Sequence, residues 1–462
     1  MVSDSAALTP GLQSFLKSLK TNPIETSIDN LVSLLKRRQI RLSRQCAIAT
    51  AYLLLRVVSA FRTTDAAKLI ERVRSVGRRL VAAQPRELVV GNIVRRVLGL
   101  IRDEAEDERD AESLVTSEAG SDSRPHTPRG AESHSPARTQ QHGGGEEFAL
   151  PIQDRDLLAV RPEGSERSSS RPPLTSFGSV QAPPVVSMFS LLQHPEAESP
   201  APSSPGTVSP SGRGRGQHKD VRAEVLDGIG EIIDELGQVD DQIAGYALEH
   251  IHSNEVILTY TSSTTVQKFL LKAAAKRKFT VIHAESYPNN HTATHARVSG
   301  NTEADEENLS AESFQKPLIA LGITVILIPD SAVFAIMSRV NKVILGTHSV
   351  LANGGLIAAA GTRMIARAAK AHQAPVVVVS GVYKLSPVYP FDIESLIEHG
   401  DPSKVIGYED GDVVDRIDVE NPLYDYVPAE LVDLYVTNLG GHAPSYLYRI
   451  LSDHYRKEDI TL

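Results

Sequence analysis

Apolar residues recur at helical spacing through the first hundred residues of the chain. Three such patterns run over residues 31–61, 64–81 and 87–104, and each places its apolar side chains on one helical face. We therefore predict an N-terminal helical domain over residues 8–104. A fourth pattern, over residues 221–251, predicts a long amphipathic helix, so residues 218–252 are assigned to a connecting helix.

Beyond residue 253 the chain changes to short apolar runs that alternate with helical segments. We predict strands at 255–260, 278–285, 322–330, 341–346 and 374–380, and helices at roughly 264–277, 331–339 and 353–372. Apolar strands separated by helices are typical of a parallel sheet covered on both faces. The predicted fold class is therefore α/β, with an N-terminal helical domain followed by a Rossmann-like, doubly wound parallel sheet domain over residues 253–462.

Two segments depart from these patterns. Residues 105–217 are rich in Ser, Pro, Gly and charge, and their aromatic residues are limited to Phe148, Phe177 and Phe189. Such a composition buries too little apolar surface to offset the entropy of ordering the chain, so we predict a disordered low-complexity insertion. Residues 299–313 are acidic and polar, which predicts a surface loop.

Composition narrows the function classes. A net charge of −9 over 462 residues does not indicate a general nucleic-acid binder. The chain has no apolar stretch of about 18 residues and no basic, apolar leader, so we expect neither a membrane span nor a secretory signal. Its single cysteine, Cys46, excludes intramolecular disulfides and multi-cysteine metal sites and is consistent with a reducing, cytoplasmic location.

Ligands of open parallel sheets bind beyond the carboxyl ends of the strands, so the residues that follow each predicted strand are candidates. The candidate phosphate-pocket residues are Thr261, Ser262, Ser263, Glu285, Asp330, Asn353, Gly354 and Lys384. Capping of a helix by Ser263 or Thr264 is the alternative for the first group. We place Asn353 and Gly354 at a helix start, and turn geometry explains the glycine equally well.

The sequence contains no P-loop, no GxGxxG fingerprint and no GxSxG elbow, which argues against nucleotide hydrolysis and dehydrogenase activity. His291 and His295 lie four residues apart, but the nearest following carboxylate is Glu303. We therefore predict no metal site and no cofactor.

Four stretches, residues 78–104, 247–285, 333–362 and 421–450, resemble the family of beta subunits of eukaryotic translation initiation factor 2B. This resemblance implies a non-catalytic regulatory and scaffolding subunit of the guanine-nucleotide exchange factor for initiation factor 2. It implies pairing with the delta subunit, in an assembly with the alpha, gamma and epsilon subunits. It also implies contact with the alpha subunit of initiation factor 2, whose phosphorylation would control exchange.

The same fold is similar to methylthioribose-1-phosphate isomerase and ribose-1,5-bisphosphate isomerase. Those enzymes carry a cysteine in a Thr-His-Cys context after the first strand and an aspartate in an Asn-Gly-Asp motif. Here Thr261 and Gly355 stand at the matching positions. A threonine hydroxyl is a poor substitute for a thiol, and glycine has no side chain to move a proton, so the resemblance implies lost isomerase chemistry. A working sugar-phosphate isomerase is the alternative.

Two groups of residues are candidates for partner contacts. The candidates for binding the alpha subunit of initiation factor 2 are Arg78, Arg79, Arg95, Arg96, His250, His252 and Asn254, with a solvated polar face as the alternative for the arginines. The interface candidates near the C-terminus are Tyr424, Tyr426, Tyr435, Tyr446 and Tyr448, which could instead cover a sheet edge. Asp425 is predicted to cap a helix over residues 428–440.

Overall fold

The computed structural model describes residues 10–61, 63, 65–119, 221–285, 311–406 and 416–462. Most of the predicted insertion and acidic loop, with His291 and His295, lies outside these residues. No helix among the described residues is long and apolar enough to cross a membrane.

The N-terminal part of the described chain is helical. Its helices are α1 (Pro10–Thr21), α2 (Ile24–Lys36), α3 (Ser43–Ala60), α4 (Ala66–Ala83) and α5 (Leu88–Ala119), followed after the insertion by α6 (Val221–Gly245) and the short α7 (Ala247–His250). The pattern predicted over residues 31–61 is therefore two helices. Arg38 and Leu42 adopt positive φ angles of 56° and 60° between them, which ends one helix before the next begins. Helix α5 also continues past residue 104, into the segment predicted to be disordered.

Helices α4 and α5 form a tightly packed antiparallel pair. The close approach depends on Gly77, because a Cβ atom there would lie 2.4 Å from Cγ1 of Val94, which is fully buried. Any larger residue at position 77 would have to push the two helices apart.

The C-terminal part contains a seven-stranded sheet. Its strands are β1 (Val256–Tyr260), β2 (Thr280–Glu285), β3 (Thr324–Pro329), β4 (Lys342–Gly346), β7 (Val376–Val379), β9 (Leu434–Thr437) and β10 (Gly440–His442). The order across the sheet is β10-β9-β7-β4-β1-β2-β3, and only β10 is antiparallel to its neighbour. The six parallel strands therefore follow the doubly wound order 3-2-1-4-5-6, which confirms the predicted fold class.

Helices cover both faces of this sheet. They are α8 (Thr264–Ala274), α9 (Ala311–Ala320), the single-turn α10 (Val333–Ile336), α11 (Thr362–Ala371) and α12 (Leu447–His454). Alternate strand residues enter two different cores. Ile257 packs into the same cluster as Leu53 of the helical part, whereas Leu258 packs with Leu447 on the opposite face. The N-terminal helices and one face of the sheet thus share a single hydrophobic core.

A second, three-stranded sheet corrects the prediction of a helix over residues 353–372. It consists of β5 (Ser349–Val350), β6 (Leu356–Ala359) and β8 (Tyr424–Val427) in the order β5-β6-β8. Asn353 and Gly354 thus lie in a hairpin turn, not at a helix start. The helix predicted over residues 428–440 is also wrong, since this stretch contains a 3₁₀ turn, β9 and the first residue of β10.

Asp425 does cap a helix, although not the predicted one. It lies on β8, and its Oδ2 accepts hydrogen bonds from the backbone N–H groups of Gly361 (2.7 Å) and Arg363 (3.2 Å) at the start of α11. The small sheet is thereby joined to a helix of the large domain.

We expect Gly77→Ala to destabilise the protein by about 1–3 kcal/mol, because the added methyl group overpacks the α4–α5 contact. Gly230→Ala in α6 is the matched control. A Cβ at position 230 has no atom within 4 Å, so this change should raise stability by up to about 1 kcal/mol through helix propensity. Thermal and urea unfolding measure both changes. Equal shifts for the two variants would contradict the packing role of Gly77.

We expect Asp425→Ala to lower the free energy of unfolding by about 1 kcal/mol, because two N–H groups at the start of α11 lose their acceptor. Asp425→Asn keeps an acceptor oxygen and should lose less. Urea unfolding of the two variants in parallel gives the comparison, and identical losses would argue against capping.

Candidate functional site at the carboxyl edge of the sheet

The parallel strand order reverses between β1 and β4, which is where doubly wound proteins bind their ligands. The loops that meet there begin at Thr261, after β1, and Thr347, after β4. A Cβ atom on Gly346 would lie 2.8 Å from Oγ of Ser263, so the serine side chain fills the space left by the glycine. The crevice expected at the switch point is therefore narrow.

The polar residues after β1 and β2 bind each other. Ser262 Oγ donates to Glu285 Oε1 at 3.0 Å, and the same oxygen lies 3.0 Å from Nε2 of the buried His283. Gln315 contacts the other ring nitrogen of His283 at 3.0 Å. Thr261 has a φ of 55° and donates its backbone N–H to the carbonyl of Ala284. This arrangement places a carboxylate, not a phosphate-binding donor, at the end of β2.

The backbone donors of the hairpin turn are also engaged within the chain. The N–H of Gly354 donates to the Leu351 carbonyl, and the N–H of Gly355 donates to Oδ1 of Asn353, both at 2.9 Å. Tyr435 donates its hydroxyl to the Gly354 carbonyl at 2.6 Å. The glycines therefore serve turn geometry, and their N–H groups do not point at a phosphate site.

Tyr426 occupies the space beside Gly355. A Cβ atom built on the glycine would lie 2.6 Å from Cε2 and 2.7 Å from the hydroxyl of Tyr426. The tyrosine is held there because Asn353 Nδ2 donates to its hydroxyl at 2.7 Å. A longer side chain at position 355 would displace this ring.

The remaining pocket candidates differ in their distance from the crevice. Asp330 follows β3, the edge strand, which lies two strands away from β1. Lys384 follows β7, and its Nζ donates to the Thr347 carbonyl at 2.9 Å. The structure thus places the predicted phosphate residues along the same edge of the sheet but engages several of them with their own neighbours.

The N-terminal helices cover this edge through polar contacts that local patterns in the sequence do not predict. Asp240 of α6 accepts hydrogen bonds from Arg44 (2.9 Å) and from Thr265 (2.7 Å), at the start of α8. Asn92 of α5 donates to the Tyr383 carbonyl, just after β7, at 3.1 Å. Asp240 could have been suspected because it falls on the otherwise apolar face of α6.

A buried polar cluster joins α3, α5 and the small sheet. Ser43 Oγ lies 3.2 Å from Nδ1 of His348 and also bonds its carbonyl, and Glu87 Oε2 lies 3.5 Å from Nε2. The ring of Tyr424 stacks on His348 with centroids 4.5 Å apart. Burial, followed by the charges of Glu87 and Glu398, raises the pKa of Tyr424, so its hydroxyl stays protonated.

Only some of the arginines predicted to contact a partner are exposed at the surface. Arg95 is 7% exposed and donates Nε to the Ile460 carbonyl, so it is not available to a partner, which corrects the prediction. Burial also lowers the pKa of Arg95. Arg96 is held by Glu235 at 2.6 Å, whereas Arg79 pairs with Asp29 at the surface. The side chain of Arg78 is 54% exposed.

The other partner candidates lie elsewhere on the fold. His252 and Asn254 are exposed and His250 is half-buried, at the amino end of β1, opposite the crevice. Burial lowers the pKa of His250, which favours its neutral form.

The tyrosine candidates divide into buried and exposed residues. Tyr435 is 0% exposed and belongs to the core, so its predicted place in an interface is wrong. Tyr424 and Tyr426 are partly buried within the small sheet. Tyr446 and Tyr448 are exposed, and Tyr446 stacks on His442 with ring centroids 5.8 Å apart. Within the described residues there is no group of three or more side chains suited to a metal ion.

Comparison with known proteins agrees with this fold. The chain is 40% identical to translation initiation factor eIF2B subunit beta of Schizosaccharomyces pombe, over 94% of this chain and 97% of that one. It matches a chain of the tetrameric eIF2B-beta2-delta2 complex of Chaetomium thermophilum with a TM-score of 0.58 and 31% identity, covering 96% of this chain and 100% of that one.

A more distant match is the ribose 1,5-bisphosphate isomerase of Archaeoglobus fulgidus, 34% identical over 32% of this chain and 48% of the enzyme. The model of the Initiation factor 2 subunit family matches residues 39–299 and 308–444. Since this match covers well over half of the sequence, the chain belongs to the Initiation factor 2 subunit family.

Proposed function

We propose that the chain is a non-catalytic regulatory subunit of the guanine-nucleotide exchange factor for translation initiation factor 2. The proposal includes a cytoplasmic complex in which the chain pairs with a delta subunit and assembles with alpha, gamma and epsilon subunits. Two similarities support the pairing, one to a chain of a beta2-delta2 complex and the other to an eIF2B subunit beta.

The position of Tyr426 carries the non-catalytic part of the proposal. In the related isomerases an aspartate belongs at the position of Gly355, and here the Tyr426 ring comes within 2.6 Å of where its Cβ would be. Thr261 stands at the position of the catalytic cysteine and offers only a weakly acidic hydroxyl. Both groups needed to move a proton on a sugar phosphate are therefore replaced, and the Tyr426 ring fills the space beside Gly355.

The same geometry favours a scaffolding role over a residual phosphate site. Polar groups that could bind a ligand at the carboxyl edge instead hold the N-terminal helices against the sheet, through contacts such as Asn92 to Tyr383 and Thr265 to Asp240. A fixed arrangement of helices is what a subunit needs if it is to present a constant surface to partners.

We further propose that the helical part contacts the alpha subunit of initiation factor 2, and that phosphorylation of this partner is sensed there. Arg78 and Arg79 support this contact, because both are exposed on α4 and guanidinium groups form bidentate bonds with phosphate. Arg95 and Arg96 are left out, since their side chains are used inside the chain.

Co-expression with the delta subunit of the same organism, followed by native mass spectrometry, tests the assembly. We expect a stable hetero-oligomer, and no turnover of methylthioribose 1-phosphate or ribose 1,5-bisphosphate above the buffer rate. A homodimer that converts either sugar phosphate would overturn the proposal, since it would mean that other residues had replaced the lost cysteine and aspartate.

Charge reversal at Arg78 tests the partner contact. Arg78→Glu should leave assembly and thermal stability unchanged, because among the described residues Arg78 pairs only with the exposed Glu71, at 3.7 Å. Binding of the phosphorylated alpha subunit of initiation factor 2 to the assembled complex should weaken by about tenfold, the loss expected for one charge-assisted contact. Arg367→Glu, at an exposed position of α11, is the control. Equal binding by both variants would place the contact elsewhere.

A further inference from the structure

The last residues of the chain lie lengthwise on helix α5. Ile460 accepts a hydrogen bond from Arg95, Asp459 accepts two from Arg102, and Arg456 lies 3.9 Å from the Cβ position of Gly99. Positions 95, 99 and 102 are spaced so that they fall on one helical face. The tail therefore lies along two helical turns of α5, about 360 residues away in sequence.

Asp459 is the anchor of this contact. Its carboxylate is 1% exposed and accepts from Arg102 Nε at 2.8 Å, from Arg102 Nη2 at 3.1 Å and from Arg74 Nη2 at 2.7 Å. Burial acts to raise the pKa of Asp459, but the bonds from Arg102 and Arg74 outweigh burial and lower it, so the carboxylate is ionised. The buried Asp459 carboxylate is thus bound by arginines from both α4 and α5.

The tail lies in a groove between α4 and α5, and this groove has features of a peptide-binding site. Gly77 lets α4 approach α5, which brings Arg74 and Arg102 to the same carboxylate. The tail makes a further contact at each end, since Arg456 pairs with Asp103 and Glu106 of α5, and the apolar side chain of Leu462 packs against the helical core. A cavity of about 300 Å³ lies beside this contact, between α5, α6 and residues 452–456.

We propose that the groove between α4 and α5 is a binding site for a peptide that carries an aspartate, and that residues 456–462 of the chain occupy it as an intramolecular ligand. The recognised element is an Asp at the end of a single 3₁₀ turn, Lys457–Asp459, bound by Arg74, Arg95 and Arg102. This inference is independent of the proposed function, because it concerns a contact within one chain. A ligand of this kind exchanges with a free copy of the same sequence.

Competition on the unaltered full-length chain is the test. The chain is mixed with a large excess of the synthetic peptide YRKEDITL, which copies Tyr455–Leu462, and hydrogen–deuterium exchange of the chain's own tail is followed by mass spectrometry. We expect exchange of the tail to rise by roughly tenfold as the free peptide takes its place. The peptide YRKENITL, which lacks the carboxylate, should have no effect, because removing one partner of a buried ion pair is strongly unfavourable. Equal exchange with both peptides would overturn the proposal and make the tail a fixed part of the fold.

A second measurement uses the full-length Asp459→Asn variant and fluorescein-labelled YRKEDITL. The weakened tail should leave the groove more accessible, so fluorescence polarisation should show binding about tenfold tighter than to the unaltered chain. Glu458→Gln is the matched control, since the Glu458 side chain is 70% exposed and makes one ion pair with Arg102. The proposal fails if the two variants bind the peptide equally, or if neither binds it more tightly than the unaltered chain does.

Discussion

The structure depends on one hydrophobic core shared between the N-terminal helices and a face of the parallel sheet. Residues as distant in sequence as Leu53 and Val436 belong to it, so neither part can bury its apolar face alone. Once this core forms, the ends of α3, α5 and α6 come against the loops that follow the strands. Polar groups that follow the strands, such as the Tyr383 carbonyl and the Thr265 hydroxyl, then bond the helix side chains of Asn92 and Asp240.

The large elements could be predicted from the sequence because their periodicity is strong and local. Five strands and the long helix α6 lie where the apolar pattern placed them, within a few residues. The run Leu356–Ala359 was misassigned to a helix because alanine and leucine favour helices, and its strand is set by pairing with β8, more than sixty residues away. The sequence did not show that Asp425 caps α11 for the same reason, because Gly361 and Asp425 are also far apart along the chain.

The candidate site could be predicted less well, and for a related reason. Amphipathicity places Arg95 on the polar side of a helix, but only the distant tail decides that this side is covered. Tyr435 is of a residue type that is common in interfaces, yet it is buried because β9 lies inside the sheet. The replacement at Gly355 could be recognised from the sequence by resemblance. That Tyr426 fills the space beside it could be seen only in the three-dimensional structure.

The packing of α5 against α6 has a consequence for how the chain can change in length. Gly228 fits against Leu100, so the two helices that flank residues 120–220 are held together by their own contact. For a segment whose two ends are held at fixed positions, the entropic cost of closure grows only logarithmically with length, by about 0.6 kcal/mol for each doubling. A connection at this point can therefore lengthen or shorten over many residues while the shared core and the carboxyl edge stay as they are. Evolution has at this junction a place to add sequence at little thermodynamic cost.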